Sequence, residues 1–536
     1  MIDVITLIMV ILMAVGLLIM NVYILLYFSH PDDKGNILGY VLKGIVIIGL
    51  TLSWAQVLLL PLDVSNNRTF GGGLNMKLFW YIIIGASIIY ILIIFPICKA
   101  LYEADEDWTI CDKIKHSLCC FLVTLILFIG ITVVLYISIG KSNVSVKKIV
   151  CDYQKNDNSK NEILNFKDSC SSTSKNLEIK VNFLIYATGV LTFVSWIAFA
   201  LFGGIGLAAV PLDFFHSFLT RPKSIKSSDM DKRRIDLIRE LEDLKLLGSE
   251  VADLEKRGAN KKFFFTPDRR NYNRKINELR GRYSLCKEEF HIVNASNEII
   301  KKNNCVVVCY YLLLPIAVIT SILSILWIIQ FICSYFYIKK GRPGYPFLAY
   351  LFIFFQDHSI SFLSFAFFAI FCLYLLFCTI KGNFKFGIRI LCCWSVYPME
   401  KENTYMNSFL FNITLILLSS FAIIQFCSDC FSDYVAFTDI DSLSNVLIKN
   451  LVFFKYFYRY HIFQYFFFAI FIISFVYLIC RPVNKPRNLY ERNKKYEEKE
   501  MAKKDKAELE MLKNKKKEKH IENENEGTKD ISTNNP

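Results

Sequence analysis

Residues 181–210 read VNFLIYATGVLTFVSWIAFALFGGIGLAAV, a stretch that contains no Asp, Glu, Lys or Arg. A bilayer core about 30 Å thick needs roughly 20 apolar residues in a helix, because every backbone amide in lipid must be bonded internally. This stretch is therefore long enough to cross a membrane once as a single helix.

Similar apolar runs recur along the chain and are separated by short polar loops and one long basic loop. They predict nine membrane-spanning helices, at 4–28, 38–61, 78–98, 118–140, 181–210, 305–338, 347–380, 407–427 and 456–480. The first run lacks a basic n-region and is too long for a cleavable signal, so we expect it to stay as an anchor. The predicted fold class is all-α: a polytopic transmembrane helix bundle with a cytoplasmic coiled-coil hairpin.

The positions of Lys and Arg predict the orientation. The loop 211–304 carries 21 Lys and Arg against 15 Asp and Glu, and the tail from 481 onward carries 16 against 12. Because basic loops stay on the cytoplasmic side, both segments are predicted to be cytoplasmic. Nine spans then place the N-terminus on the exoplasmic side and the C-terminus in the cytoplasm.

Four regions follow from this topology. We predict an N-terminal bundle of five spans at 1–210 and a basic cytoplasmic loop at 211–304. A C-terminal bundle of four spans follows at 305–480, and a basic, largely disordered tail at 481–536.

The cytoplasmic loop contains two charged segments with an apolar repeat. Apolar residues recur every three or four positions at Leu237, Leu241, Leu244, Leu247, Val251 and Leu254, and again at Ile276, Leu279, Tyr283, Cys286 and Phe290. This spacing predicts two amphipathic helices that form an antiparallel hairpin. Its role is either a structural stalk or a docking arm for a partner, and the sequence leaves both open.

The predicted exoplasmic loops carry candidate modification sites. Asn67 and Asn143 begin N-glycosylation acceptor patterns, Asn-Arg-Thr and Asn-Val-Ser. Cys151 and Cys170 share the loop 141–180, where an oxidised pair is a candidate disulfide.

Polar residues within predicted spans are costly in lipid and are therefore candidates for function. The candidate intramembrane polar site comprises Gln356, Asp357, His358, Asn407, Asn412 and Gln425. Asp357 beside His358 could relay protons or bind a cationic group. The same pair could instead cap a helix that starts there, and the amides could hydrogen-bond across helices simply to hold the bundle.

Two predicted spans end in the same tripeptide, Pro61-Leu62-Asp63 and Pro211-Leu212-Asp213. Proline breaks the helical hydrogen-bond ladder, and the nearby carboxylate could accept freed amides or pair with a base. Gly203, Gly204 and Gly206 precede the second tripeptide and would allow close helix approach or a kink. The shared tripeptide is too short to establish an internal repeat.

No catalytic arrangement stands out in the sequence. It has no phosphate-binding glycine loop, no zinc-binding H-E-x-x-H and no serine nucleophile elbow, and its seven histidines are dispersed. We therefore predict a non-enzymatic protein without catalytic residues, cofactor or metal. The net charge of +14 sits mainly in cytoplasmic segments without a recognition motif, so we predict contact with membrane lipids and no nucleic acid.

Several phrases at the predicted span ends form a recognisable set. They are Ser29-His30-Pro31-Asp32-Asp33, Leu59-Leu60-Pro61-Leu62-Asp63-Val64-Ser65-Asn66, Phe202-Gly203-Gly204-Ile205-Gly206, Arg221-Pro222-Lys223, Met406-Asn407-Ser408-Phe409-Leu410-Phe411-Asn412, Ile424-Gln425-Phe426-Cys427, Lys455-Tyr456-Phe457 and His461-Ile462-Phe463-Gln464. In this order they resemble the limb-region, or lipocalin-interacting membrane receptor (LIMR), family, which includes lysosomal cobalamin transport escort proteins. The lysine-rich C-terminal extension departs from the family pattern.

The resemblance implies nine spans with an exoplasmic N-terminus and a large cytoplasmic loop between spans five and six. It also implies a receptor or transport-escort role at the plasma membrane or an endolysosomal membrane. The expected partner is a transporter or a lipocalin-like ligand. The alternative function is a transporter or channel that conducts a small solute or ion through the helix bundle.

Overall fold

The computed structural model describes most of residues 4–480. The described part omits 31–36, 71–72, 105–107, 152–169, 220–226, 258–266, 301–303, 337, 340–341, 344–346, 359, 387, 391–393, 398, 400 and 402–403, and it ends at 480. The predicted disordered tail at 481–536 and the Arg221-Pro222-Lys223 motif lie outside it.

Within the described ranges, nine helices are long and apolar enough to cross a membrane, as predicted. They are α1 (Val4–Phe28), α2 (Ile37–Phe70), α3 (Met76–Ile89) continued through a π-helical turn into α4 (Phe95–Glu103), α5 (Ile110–Ile139), α6 (Phe183–Leu219), α9 (Asn304–Tyr335), α11 (Ser361–Phe386), α12 (Met406–Cys430) and α16 (Ile462–Cys480). Between α6 and α9 lie α7 (Ser227–Lys256) and α8 (Pro267–Ile300).

Two predicted span ends are wrong. Pro61 lies inside α2 and Pro211 lies inside α6, and both helices continue for about two further turns, to Phe70 and Leu219. A proline in a membrane helix is tolerated where neighbouring helices satisfy the freed backbone groups. Both prolines are buried among such neighbours. The backbone hydrogen bond lost at each proline therefore does not end its helix.

The seventh predicted span, 347–380, is also wrong. The chain forms a short apolar helix, α10 (Phe347–Asp357), and then restarts as α11 (Ser361–Phe386). The two helices pack on each other, because Phe352 contacts Phe368 and its carbonyl accepts a hydrogen bond from the Ser364 hydroxyl at 2.8 Å. The polar residues that interrupt the apolar run therefore mark a helix end.

The all-α prediction did not include β-strands, which the structure contains. The segment 141–180 contains β1 (Lys141–Cys151) and β2 (Cys170–Lys180), which pair antiparallel from Lys141 opposite Lys180 to Cys151 opposite Cys170. Alternating polar and β-branched residues in β1 favour this pairing. Two shorter hairpins, β3 (Ile338–Lys339) with β4 (Arg342–Pro343) and β5 (Ile388–Ile390) with β6 (Trp394–Val396), complete the strands of the described residues.

The predicted loop 428–455 is a folded element. After α12 the chain forms α13 (Ser432–Val435), α14 (Asp439–Asp441), a π-helical stretch (Ser442–Ile448) and α15 (Lys455–Arg459). Many of its apolar side chains, among them Tyr434, Ile440 and Leu451, are buried, whereas Phe437, Phe453 and Tyr456 are exposed. We call residues 431–460 the cap, and the end of the bundle that it covers the cap end.

One compact unit comprises Met1–Phe215 and Pro315–Cys480. Its core contains α2 and α12, which pack against each other, and α11 packs against both. Helices α6 and α11 approach each other closely: a Cβ added at Gly206 would lie 1.7 Å from the Cys378 carbonyl oxygen, and one at Gly382 would lie 1.9 Å from that of Phe202. Gly204 likewise approaches the Phe467 carbonyl of α16.

The second unit contains the helical pair α7 and α8. Its buried apolar residues follow a seven-residue repeat, with the half-buried Leu279 between Tyr272 and Cys286. They are Met230, Leu237, Leu244 and Val251 on α7 and Tyr272, Cys286 and Val293 on α8. Two ion pairs alternate with these apolar layers, Arg233 with Glu289 at 3.1 Å and Arg282 with Glu240 at 2.6 Å. The pairings run in opposite directions along the two helices, so α7 and α8 are antiparallel.

Candidate functional site

Asp63 joins three segments at the cap end. Its side chain is buried in α2, with 1% of the residue exposed. One carboxylate oxygen, Oδ2, accepts hydrogen bonds from the indole Nε1 of Trp80 at 3.0 Å and from the backbone N–H of Ile440 at 3.1 Å. Asp63 therefore positions both the beginning of α3 and the cap.

The cap turn that Asp63 holds has its own local determinants. The Thr438 hydroxyl caps α14 by accepting a hydrogen bond from the Asp441 N–H at 3.2 Å. The preceding residue, Phe437, has a φ of 68°, and its carbonyl accepts a bond from the Asn67 side-chain amide at 2.9 Å. Asn67 lies one helical turn after Asp63, so two polar side chains of α2 hold the same turn.

A cavity of about 190 Å³ lies beside this turn, between α3, α6 and the cap. Lys77 and Asp439 stand on its lining, with the ammonium 3.8 Å from the carboxylate. The other lining residues are largely apolar or aromatic, and they include Trp80, Tyr81, Ile84, Leu184 and Leu443. The cavity therefore has a charged part and an apolar part.

A second polar cluster lies at the cap end, around Asp429 near the end of α12. Asp429 forms an ion pair with Lys449 of the cap and accepts a hydrogen bond from the Tyr335 hydroxyl at 3.1 Å. The imidazole ring of His461, at the junction of the cap and α16, packs edge-to-face against the Tyr335 ring. Burial lowers the pKa of His461, which favours the neutral imidazole.

The predicted amides of span eight bond to neighbouring parts of the bundle. The Gln425 carbonyl oxygen accepts a hydrogen bond from the Trp196 indole at 2.6 Å, and the Asn412 amide donates to the Tyr397 carbonyl at 3.0 Å. The Asn407 side-chain oxygen accepts from the N–H of Ser408 at 2.7 Å. The bonds of Gln425 and Asn412 therefore reach other segments of the bundle, whereas that of Asn407 stays within the first turn of α12.

The predicted polar residues of span seven lie elsewhere. Asp357 ends α10 and His358 follows it, and both side chains are exposed. A ring nitrogen of His358 lies 3.0 Å from the Phe354 carbonyl, one turn back along the same helix. Gln356 is half-buried on the last turn of α10. The structure therefore does not bring these residues together with the buried amides of α12.

The second tripeptide has a different partner from the first. Asp213 pairs with Lys381 at 3.3 Å and with Lys385 at 2.5 Å, both on the last turns of α11. Gly206, two turns earlier on α6, is where α6 meets the α11 backbone. The two carboxylates thus occupy opposite ends of the bundle, and only Asp63 reaches the cap.

The predicted modification sites fall on ordered segments. Asn143 lies in β1, and its backbone N–H donates to the Asn450 carbonyl of the cap at 2.9 Å. Asn67 lies in α2 with its amide engaged by Phe437, an arrangement unfavourable to a glycan. Cys151 and Cys170 face each other in the backbone register of β1 and β2.

Sequence reasoning selected Asp63 but missed its partners. Trp80, Ile440, Lys77 and Asp439 come from segments up to 377 residues apart. Nothing in the sequence pattern paired Lys77 with Asp439.

A model of the family described as LMBR1-like membrane protein matches residues 6–288. The chain belongs to this family. The matched range runs from α1 through most of α8 and includes Asp63 and Gly206.

Individual relatives extend the likeness beyond that range. A LIMR family protein of Dictyostelium discoideum is 29% identical over 512 residues, covering 88% of this chain and 96% of the relative. A LIMR family protein of Arabidopsis thaliana is 28% identical, covering 86% and 93%. A Dictyostelium discoideum protein named probable lysosomal cobalamin transporter is 26% identical over 41% of each chain. No solved structure matches.

Proposed function

We propose that this LMBR1-like protein is a multi-pass membrane receptor or transport-escort protein, which binds a ligand or a transporter partner and is not catalytic. The observation that carries the proposal is the cap. A folded surface held in place by the buried Asp63 and by Asn67 provides a fixed shape for recognition. Binding favours surfaces that are organised before the partner arrives.

The middle of the bundle supports binding over conduction. Stacked rings of Trp327, Phe331, Phe426 and Phe467 surround a void of about 10 Å³. That is the space of at most one water molecule, so it offers no continuous wet path at this level. The exposed Asp357 and His358 are not placed to line such a path.

The alternative is a transporter or channel that conducts a small solute or ion. It is supported by the name of the Dictyostelium discoideum relative, probable lysosomal cobalamin transporter. We propose the plasma membrane or an endolysosomal membrane as the location. Basic residues in 211–304 and in the tail support an exoplasmic N-terminus and a cytoplasmic C-terminus. The cap end is then exoplasmic.

The helical pair α7 and α8 supports a cytoplasmic docking role. Its core is closed by the seven-residue repeat, yet Ile238, Leu241, Tyr283 and Phe290 remain exposed. Leu241 and Tyr283 each precede a core position by three residues, Leu244 on α7 and Cys286 on α8, so each lies beside the core face of its own helix. Large exposed apolar side chains grouped in this way are typical of a protein contact.

The test is purification of the full chain from native membranes in a mild detergent, with mass spectrometry of the proteins that stay bound. We expect a near-stoichiometric partner. Replacing Leu241 and Tyr283 by Glu should release it, whereas Leu246→Glu, which changes an exposed leucine outside this group, should not. A partnerless protein that alone carries solute into liposomes, with flux lost in Asp357→Asn, would overturn the proposal and establish the alternative.

A further inference from the structure

The cavity between α3, α6 and the cap is built at a membrane boundary. Lys77 and Tyr81 lie in the first two turns of α3, and Leu184 lies in the first turn of α6. Both helices are membrane spans, so their first turns are at the level where lipid headgroups meet the hydrocarbon. An exposed tyrosine such as Tyr81 prefers that level.

The rim of the cavity is open on the side of the bundle. Tyr81 and Leu184 line the cavity and are also exposed on the surface of their helices. A molecule in the surrounding leaflet can therefore enter sideways. A ligand dissolved in water would have to compete with lipid for the same opening.

The size of the cavity indicates how much of a ligand it can take. Sites for whole drug-sized molecules occupy roughly 300–1,000 Å³. At about 190 Å³, this cavity holds part of a molecule, and the remainder must lie in the bilayer. An amphiphile that is already anchored in the leaflet satisfies this condition.

The charges on the lining indicate the headgroup. Lys77 and Asp439 are 3.8 Å apart, and their side chains are 73% and 33% exposed, so the pair is weak and can be opened. A headgroup with one phosphate and one ammonium can replace the pair charge for charge, with phosphate on Lys77 and ammonium on Asp439. An ammonium group also gains from the nearby aromatic rings. A purely anionic headgroup would instead meet the Asp439 carboxylate.

We infer that this cavity binds one zwitterionic phospholipid of the surrounding leaflet, with its headgroup between Lys77 and Asp439 and its upper chain along Leu184 and Ile84. The site is distinct from partner docking by α7 and α8 and does not depend on the proposed receptor or escort role. Asp63 acts here as a positioning residue, because it holds Trp80 and the 439–441 turn on two sides of the cavity.

The test is native mass spectrometry of the full chain in detergent, titrated with dioleoyl phosphatidylcholine or dioleoyl phosphatidylglycerol. We expect one retained phosphatidylcholine and weaker retention of phosphatidylglycerol. Lys77→Gln should weaken phosphatidylcholine binding on the order of tenfold, the value of one charge-assisted hydrogen bond. Lys141→Gln is the matched control, because it also removes an exposed ion pair, with Glu178 at 3.3 Å, and neither residue lines the cavity.

A second variant tests the cavity itself. Thr188→Phe places a ring in the space, and the Thr188 hydroxyl it removes bonds only within α6, to the Leu184 carbonyl at 2.9 Å. We expect this variant also to lose the bound lipid while it stays monodisperse. Equal binding by Lys77→Gln and Lys141→Gln, equal retention of the two lipids, or unchanged binding by Thr188→Phe would each overturn the inference.

Discussion

Gly206→Ala should destabilise the bundle strongly, although it adds a single methyl group. The new Cβ would lie 1.7 Å from the Cys378 carbonyl oxygen, whereas ordinary van der Waals contact begins at 3.4 Å. Backbone atoms of α11 would therefore have to withdraw by about 1.7 Å. Overpacking of a tight core typically costs about 1–3 kcal/mol, and a clash with backbone belongs at the upper end of that range.

The matched control is Gly85→Ala in α3, where an added Cβ meets no atom within 4 Å. That change should be neutral or stabilising by up to about 1 kcal/mol, because alanine favours helix over glycine. The two variants should thus differ by roughly 3–4 kcal/mol. In a thermal unfolding assay of detergent-purified protein, we expect Gly206→Ala to melt roughly 5–10 °C below Gly85→Ala.

The reciprocal contact provides an internal check. Gly382→Ala would place its Cβ 1.9 Å from the Phe202 carbonyl oxygen, on the other side of the same crossing. Once the helices have separated for one methyl group, the second costs less, so the double variant should lose less than the sum of the single losses. If the Gly206→Ala and Gly85→Ala variants have the same melting temperature, the close crossing of α6 and α11 is refuted.

Three further predictions concern the cap end. Asp63→Ala leaves the Trp80 indole and the Ile440 N–H without their acceptor, which should lower the free energy of unfolding by roughly 2–6 kcal/mol, at about 1–3 kcal/mol per buried donor. Asp63→Asn keeps an acceptor oxygen and should lose far less stability in the same melting assay. Equal losses in the two variants would contradict this role. Because burial lowers the pKa of His461 below 6.5, the stability that its neutral form provides is present above pH 6.5 and is lost as the pH falls below that value. His461→Gln should flatten this part of the curve of stability against pH. An unchanged slope would refute this role of His461. Since Cys151 and Cys170 are register partners, non-reducing peptide mapping should recover them as one linked peptide, whereas alkylation of both without reduction would exclude the bridge.

The membrane spans could be predicted because they depend on a local property. An apolar run of sufficient length is driven into lipid whatever surrounds it, so each of the nine predicted runs overlaps one of the nine span-length helices found among the described residues. Helix ends depend on neighbours. Pro61 was read as a stop from its own chemistry, but buried contacts with other helices let α2 continue past it.

The candidate site could be predicted only in part, for a related reason. Asp63 stood out because it follows Pro61 in a tripeptide that recurs at Pro211-Leu212-Asp213, where a carboxylate could accept backbone amides freed by the proline. Its donors come from α3 and from the cap, and a single sequence carries no signal that brings residue 440 to residue 63. Asp357 and His358 stood out because polar residues within a predicted span are costly in lipid, but they are exposed at a helix end, where polarity costs little.

The Asp63 contact also has a consequence for biogenesis. Asp63 enters the membrane with the second span, and the Ile440 N–H that it binds is synthesised 377 residues later, after the eighth span. Until then the carboxylate lacks one of its two donors, and α2 lacks α12, against which it packs in the finished protein. Contacts this distant in sequence form late. The first five spans therefore remain incompletely packed in the membrane until the later spans are made. Mutations at the cap should accordingly reduce the yield of protein that leaves its site of synthesis.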